Sequence, residues 1–206
     1  MIFKKWATSW AEGICAAAGE KDSYRIALIR YVLESMLSMI LSITFIVILA
    51  YICGVLATAI LLSASGAFIK AFTGGLHSST PLRCAILGAI FAVVLSFLAK
   101  AFPLTNMPVY VIILILIWWN IIVWLKAPVE SQKKPLTKAQ KRTLAILSKV
   151  IMTIITAICL KWPGAWGVNE LFYGIGFQVI GLTSIAETSI RQLDKCLALI
   201  ERHPIL

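Results

Sequence analysis

Residues 35 to 69 form a run of 35 positions without one charged side chain. Such a run needs a nonpolar environment, and the chain's 60% hydrophobic residues and mean hydropathy of +0.92 suit a lipid bilayer. As one straight helix the run would be about 52 Å long, whereas the hydrocarbon core of a bilayer is about 30 Å thick. We therefore expect a break near Cys53 and Gly54, which gives either two short spans or one full span followed by a re-entrant segment.

Four further apolar runs, at 84–99, 109–125, 144–160 and 171–190, continue this pattern. Together they predict an all-α, polytopic membrane helical bundle with about six hydrophobic segments; four full spans plus re-entrant or interfacial helices is the alternative. Polar stretches are too short for a separate soluble domain. Residues 1–206 are therefore expected to form a single membrane-embedded domain, with helical hairpins at 35–69, 84–125 and 144–190.

The first 34 residues have an amphipathic character. Trp6, Trp10 and Ile14 recur at helical spacing beside charged residues, which is typical of a short helix lying in the membrane interface. Asp22 is a plausible cap for a second surface helix over 24–32. A charge inside the first apolar stretch makes it a poor cleavable signal peptide, so we expect it to be retained.

The positive charge is unevenly distributed along a chain of net charge +10. All but two of its 19 lysines and arginines lie in the segments 1–34, 70–83, 126–149 and 191–206; Lys100 and Lys161 are the exceptions. The positive-inside rule places these segments and both termini in the cytoplasm, with 126–143 as a basic cytoplasmic loop. Basic clusters between apolar runs suit anionic membrane lipids and argue against nucleic acid as a partner.

The five cysteines are scattered and include no CxxC pair, which argues against a disulfide framework and a structural zinc site. One of them, Cys84, follows His77 within a predicted cytoplasmic loop. On one continuous helix the two residues would lie about 10.5 Å apart along the axis, too far for a hydrogen bond. Gly74-Gly75 and Thr80-Pro81 are the expected breaks, and a helix starting at Pro81 puts Cys84 in its first turn.

This position suits a nucleophile. The positive end of the helix dipole, the neighbouring Arg83 and a nearby imidazolium would each favour the thiolate of Cys84. His77 could accept the thiol proton and later deliver it to a leaving amine. The alternative is that Cys84 is a small packing residue and His77 a solvated loop residue.

These residues resemble the accessory gene regulator B (AgrB) family of bacterial quorum-sensing peptidases. The resemblance rests on Gly-Gly-Leu-His77 with Cys84 seven positions later, and on Ala127-Pro128 followed by Lys133-Lys134-Pro135-Leu136. It implies that Cys84 is the nucleophile and His77 the general base, without metal or cofactor. Supporting or substrate-binding positions implied in the same way are Lys70, Gly74, Gly75, Lys133, Lys134 and Pro135. Lys70 stands where the family commonly has arginine, which keeps the charge but loses the planar bidentate fork.

The resemblance also implies an activity: a membrane thiol protease that cleaves the C-terminal tail from a short AgrD-like autoinducer precursor peptide. A Cys84 acyl-enzyme thioester would then be converted into a cyclic thiolactone or lactone. The expected location is the bacterial cytoplasmic membrane, with the active site on the cytoplasmic side. Glycines in the last apolar run would permit close helix packing within one subunit or in a homodimer. The rival interpretations are a non-enzymatic membrane scaffold and a small transporter, although the spans contain almost no ionisable side chain.

Overall fold

A computed structural model describes residues 2–19, 22–75, 80–129 and 137–202. Within these ranges the secondary structure is helical throughout, which confirms the predicted all-α class. The helices are α1 (Ile2–Ala17), α2 (Ser23–Ile52), α3 (Leu56–Thr73), α4 (Pro81–Ala101), α5 (Val109–Lys126), α6 (Lys138–Lys161), α7 (Val168–Ile180) and α8 (Ser184–Arg202), with a short 3-10 turn at Leu104–Asn106.

Five of these helices, α2 to α6, are long and apolar enough to cross a membrane. The shortest of them has 18 residues, which corresponds to about 27 Å of helix and approaches the thickness of a hydrocarbon core. The protein is therefore built as a multi-pass helical membrane protein.

The break predicted near Cys53 and Gly54 is confirmed, because α2 ends at Ile52 and α3 begins at Leu56. Gly54 adopts φ +68°, a left-handed conformation that glycine tolerates best. The Lys100 ammonium donates a hydrogen bond to the Gly54 carbonyl oxygen (3.3 Å). Lys100 thus lies at the α2–α3 turn, at the opposite end of the bundle from Thr73 and the start of α4.

The first run differs from expectation at its beginning. The surface helix predicted over 24–32 is not separate: it continues directly into the first span as the 30-residue α2. Asp22 caps this helix as predicted, since its carboxylate accepts a hydrogen bond from the Tyr24 amide (2.9 Å). No sequence signal for termination lies between Tyr24 and Ile52, so the helix has no reason to stop at the interface.

The helix α7 lies at the centre of the bundle, with seven of its 13 residues buried. Its glycines allow close contact inside the chain: a Cβ at Gly174 would lie 2.2 Å from the Leu62 carbonyl oxygen of α3, and one at Gly176 would lie 2.3 Å from the Trp119 ring of α5. Trp119 also packs against Phe172, with ring centroids 4.6 Å apart. Glycine packing in this region therefore serves contacts within the subunit.

Two predicted boundaries move. The apolar run 171–190 is divided, because α7 ends at Ile180 and α8 begins at Ser184. The basic segment 126–143 is partly helical, because α6 already begins at Lys138. A capping box fixes that start: Thr137 Oγ1 accepts from the Gln140 amide, and Gln140 Oε1 accepts from the Thr137 amide.

Candidate active site

Cys84 occupies the first turn of α4, as the sequence predicted. Thr80 is the N-cap, with its hydroxyl accepting a hydrogen bond from the Arg83 amide (3.3 Å), and Pro81 follows at the first helical position. The Cys84 amide donates to the Thr80 carbonyl oxygen (3.1 Å). Cys84 is half-buried, so it combines the positive end of a helix with partial access from outside.

The chain between α3 and α4 begins with the two glycines, both in conformations unfavourable for other residues. Gly74 has φ +68° and Gly75 has φ +148°. A Cβ at Gly74 would lie 2.2 Å from the Val129 carbonyl oxygen, and a Cβ at Gly75 would lie 2.7 Å from Gln178 Nε2. Backbone geometry therefore favours glycine at both positions, and at Gly74 the nearby Val129 backbone also leaves no room for a side chain.

Two other segments hold this end of α3. The Val129 amide, just beyond α5, donates to the Thr73 carbonyl oxygen (2.9 Å). Gln178 of α7 donates from Nε2 to the Gly74 carbonyl oxygen (2.7 Å) and to Thr73 Oγ1 (3.3 Å). Thr73 and Gln178 are both buried, so these bonds form where water does not compete.

Lys70 lies one turn before these glycines and faces the same site. It is half-buried, and its Cε lies 3.6 Å from the position that a Cβ at Gly75 would occupy. Lys70 is in the last turn of α3 and Cys84 in the first turn of α4, so the two residues lie at the same end of the bundle. The fold thus brings Lys70, Gly75 and Cys84 together from α3, the following turn and α4.

Arg83, the neighbour of Cys84, has a partner that the sequence did not suggest. Its Nη1 lies 3.6 Å from Asp194 Oδ2 on α8, and both side chains are largely buried, at 14% and 15% exposure. A carboxylate beside the guanidinium offsets its charge. The expectation that Arg83 adds to the positive field at Cys84 therefore needs correction, because Asp194 compensates that charge.

The remaining predicted site residues, His77, Lys133, Lys134 and Pro135, lie outside the described residues. The basic character of the segment continues into the described part, where Lys126, Lys138 and Arg142 are exposed. Within the ranges that the structure covers, no group of three or more metal-ligating side chains is arranged to hold an ion.

Sequence reasoning missed Gln178, Val129 and Asp194. Gln178 had a usable signal, because an amide side chain inside an apolar run is costly unless it is hydrogen-bonded. Val129 acts through its backbone, and Asp194 pairs with a residue more than one hundred positions away, so neither leaves a local pattern.

The fold and this polar end of the bundle define a multi-pass helical membrane protein with a cysteine at a helix start. The model of the AgrB family, accessory gene regulator B, matches residues 7–186, and the chain belongs to this family. AgrB-like protein 2 of Clostridium perfringens strain 13 is 23% identical over 188 residues, covering 84% of this chain and 88% of the relative.

Two further relatives are similar over comparable lengths. An AgrB-like protein of Clostridium perfringens strain SM101 is 24% identical over 84% of this chain and 88% of the relative. An AgrB-like protein of Listeria monocytogenes serotype 4a strain HCC23 is 22% identical over 80% of this chain and 79% of the relative. No solved structure matches the chain.

Proposed function

We propose that the protein is a membrane-embedded cysteine endopeptidase that processes an autoinducer precursor peptide into a cyclic signal. The observation that carries this proposal is the setting of Cys84: a half-buried thiol in the first turn of α4, at the end of the bundle where Lys70 and the glycine turn also lie. Membership of the AgrB family supports the same activity.

The first step is attack by Cys84. His77 accepts the thiol proton, and the thiolate sulfur bonds to the carbonyl carbon of the scissile peptide bond. The carbon–nitrogen bond then breaks, the imidazolium returns its proton to the leaving amine, and a thioester remains on Cys84.

Lys70 has an electrostatic role in this step. Its ammonium stabilises the negative charge that develops on the attacked carbonyl oxygen. Lysine acts here as a point charge, without the fixed two-donor geometry that arginine would supply. The glycine turn leaves room for Lys70 to cross toward Cys84, since it brings no side chain of its own.

The second step is ring closure. A thiol or hydroxyl of an internal Cys or Ser in the precursor attacks the thioester, forms a thiolactone or lactone, and releases Cys84 as the thiol. When the attacking group is a thiol, the thioester on Cys84 is exchanged for the thioester of the thiolactone. The acyl carbon therefore stays activated in the product. A site at the membrane edge limits competing hydrolysis of the intermediate.

The precursor would be held by the basic segment between α5 and α6. Lys133, Lys134 and Pro135 are proposed contacts, and the exposed Lys126, Lys138 and Arg142 extend the same charge. An acidic tail on the precursor would be attracted by this segment. The charge distribution along the chain supports a location in the bacterial cytoplasmic membrane with this end of the bundle in the cytoplasm.

The test is cleavage in proteoliposomes containing the purified protein and a candidate precursor with an amphipathic N-terminus, an internal Cys or Ser and an acidic tail. Cys84→Ala and His77→Ala are each expected to lower the rate of tail release at least about 100-fold, as measured by mass spectrometry. The wild-type protein should also show an adduct on Cys84 with the mass of the precursor without its C-terminal tail, and hydroxylamine should remove it.

Cys53→Ala is the matched control. Cys53 is half-buried like Cys84 but lies at the other end of the bundle, so its loss should leave cleavage unchanged. Full processing by Cys84→Ala would disprove the mechanism. Binding of the precursor without cleavage by the wild type would favour a scaffold, and solute uptake that survives loss of Cys84 would favour a transporter.

A further inference from the structure

The ion pair between Arg83 and Asp194 differs from the other ion pairs in the described ranges. Arg25–Asp22 and Arg191–Glu187 each join residues three or four positions apart, and their side chains are largely exposed. Arg83–Asp194 joins the first turn of α4 to α8, and both side chains are largely buried. Exposed pairs contribute little to stability, whereas breaking a buried pair leaves an uncompensated charge.

The location of this pair gives it a role. Arg83 lies in the first helical turn, where the helix dipole is positive and a cation is unfavourable. Asp194 supplies the compensating negative charge from another element. Because Cys84 is the next residue, a change in the charge of this pair would also change the electrostatic field at the thiol.

The helix that supplies Asp194 lies largely beyond the family match, which ends at residue 186. α8 begins at Ser184 and is separated from the central helix α7 by a short turn. The link from α8 to the first turn of α4 is therefore a feature of this chain that the family match does not include.

We propose that Asp194 is a positioning residue: it holds Arg83, fixes the first turn of α4, and cancels the charge of Arg83 beside the Cys84 thiol. This inference rests on the proposed function, in which Cys84 is the nucleophile. It assigns to α8 the task of setting both the place and the electrostatic environment of that nucleophile.

Charge reversal tests the proposal. Arg83→Asp puts two acids beside the thiol and should slow labelling of Cys84 by iodoacetamide about tenfold, whereas Asp194→Arg puts two cations there and should speed it about threefold. The double variant R83D/D194R restores the pair and should return labelling to within about threefold of wild type. Labelling is followed by mass spectrometry of the Cys84 peptide in the full-length protein in proteoliposomes.

Opposite effects of the two single variants distinguish this role from a merely structural one, since loosening the fold would change labelling in one direction only. The proposal would be overturned if both single variants changed the labelling rate in the same direction. It would also be overturned if the double variant were labelled no faster than the slower single variant. The exposed pair on the same helix is the matched control: Glu187→Arg and Arg191→Glu should leave Cys84 labelling unchanged.

If a reversed variant does not accumulate, the neutral variants Arg83→Gln and Asp194→Asn replace it, with slower and faster labelling expected respectively; equal rates would overturn the proposal. Labelling needs no precursor, so it separates the two claims. If the wild type cleaves no precursor but the variants change Cys84 labelling in the expected directions, only the peptidase function is disproved. If the wild type cleaves the precursor but the variants do not change labelling in these directions, only the role of Asp194 is disproved.

Discussion

Gly74 and Gly75 both end α3 with positive φ, but their neighbours differ in how far they can move. A Cβ at Gly74 would meet the backbone carbonyl of Val129 at 2.2 Å, whereas one at Gly75 would meet the flexible end of Gln178 at 2.7 Å. We expect both alanine variants to lose about 1–3 kcal/mol through backbone strain alone, with Gly74→Ala the more damaging. Thermal unfolding in detergent measures the difference.

Gly88→Ala is the control for this comparison. Gly88 lies inside α4, with no atom within 4 Å of an added Cβ, so alanine should stabilise the helix slightly. A Gly75→Ala protein that unfolds at a higher temperature than Gly74→Ala would agree with the geometry. The reverse order would mean that Val129 yields more easily than Gln178.

The residues that sequence could identify are those with a local chemical reason. Gly-Gly permits unusual backbone angles, and Thr80-Pro81 is a cap followed by the favoured first-turn proline, so the chain break and the place of Cys84 could both be predicted. Gln178, in contrast, acts on residues about one hundred positions away. Its partners depend on how the helices pack, which no local pattern specifies.

At the scale of elements, Gln178 connects α7 to the end of α3. Gln178→Met keeps the size of the side chain but removes the donors to the Gly74 carbonyl and the Thr73 hydroxyl. We expect a loss of about 1–3 kcal/mol in the free energy of unfolding, because a buried acceptor is left without its partner. Precursor cleavage should fall as well, since the turn before His77 is no longer held.

Asn120→Leu is a matched control within the bundle. Asn120 donates to Thr156 Oγ1 (2.8 Å) between α5 and α6, away from the glycine turn. Its replacement should affect stability without a specific loss of cleavage. If Gln178→Met cleaves the precursor as fast as wild type, the hydrogen bonds from α7 are structural only.

Element boundaries were predictable where a breaker marks them. Gly54 divides the first long run between α2 and α3, and Pro81 starts α4, as expected. The division of the last apolar run between α7 and α8 at 181–183 was not evident from the sequence. Gly181 and Thr183 lie among apolar residues, so the hydropathy of the run does not fall at this point. The continuous α2 was also missed, since the interface between water and lipid does not itself stop a helix.

At the scale of the whole molecule, four lysines at helix ends and turns lie at two opposite ends of the bundle. Lys100 bonds to the α2–α3 turn, and Lys161 ends α6, whereas Lys70 and Lys138 lie toward the Cys84 end. In inside-out and right-side-out vesicles of a variant without other cysteines, Lys138→Cys should be labelled from the same side as Cys84. Lys161→Cys should be labelled from the opposite side by a membrane-impermeant maleimide.

The wild-type Cys84, kept in the same background, provides the internal reference for each vesicle orientation. Labelling of positions 138 and 161 from one side would contradict the arrangement of α6 as a span. Labelling of Cys84 only from outside the cell would leave the fold intact but reverse the proposed orientation.

The packing of helices is the part of the molecule least accessible from sequence. α2 packs mainly against α4, and α3 mainly against α7, so the main contacts are not between consecutive helices. Nearly all positions in these spans are apolar, and they carry little information about which helix faces which. Small residues such as Gly66 and Gly174 permit the α3–α7 approach, but they become informative only once both helices are placed.

The length of α2 has a consequence for the surrounding lipid. Its 30 residues rise about 45 Å, well beyond a hydrocarbon core of about 30 Å. The charge-free part of α2, residues 35–52, rises about 27 Å and fits that core, so the N-terminal turns with Arg25, Arg30 and Glu34 extend beyond the hydrocarbon. Because α2 packs against α4, the helix that carries Cys84, we expect lipid chain length to influence the depth of Cys84 relative to the membrane surface.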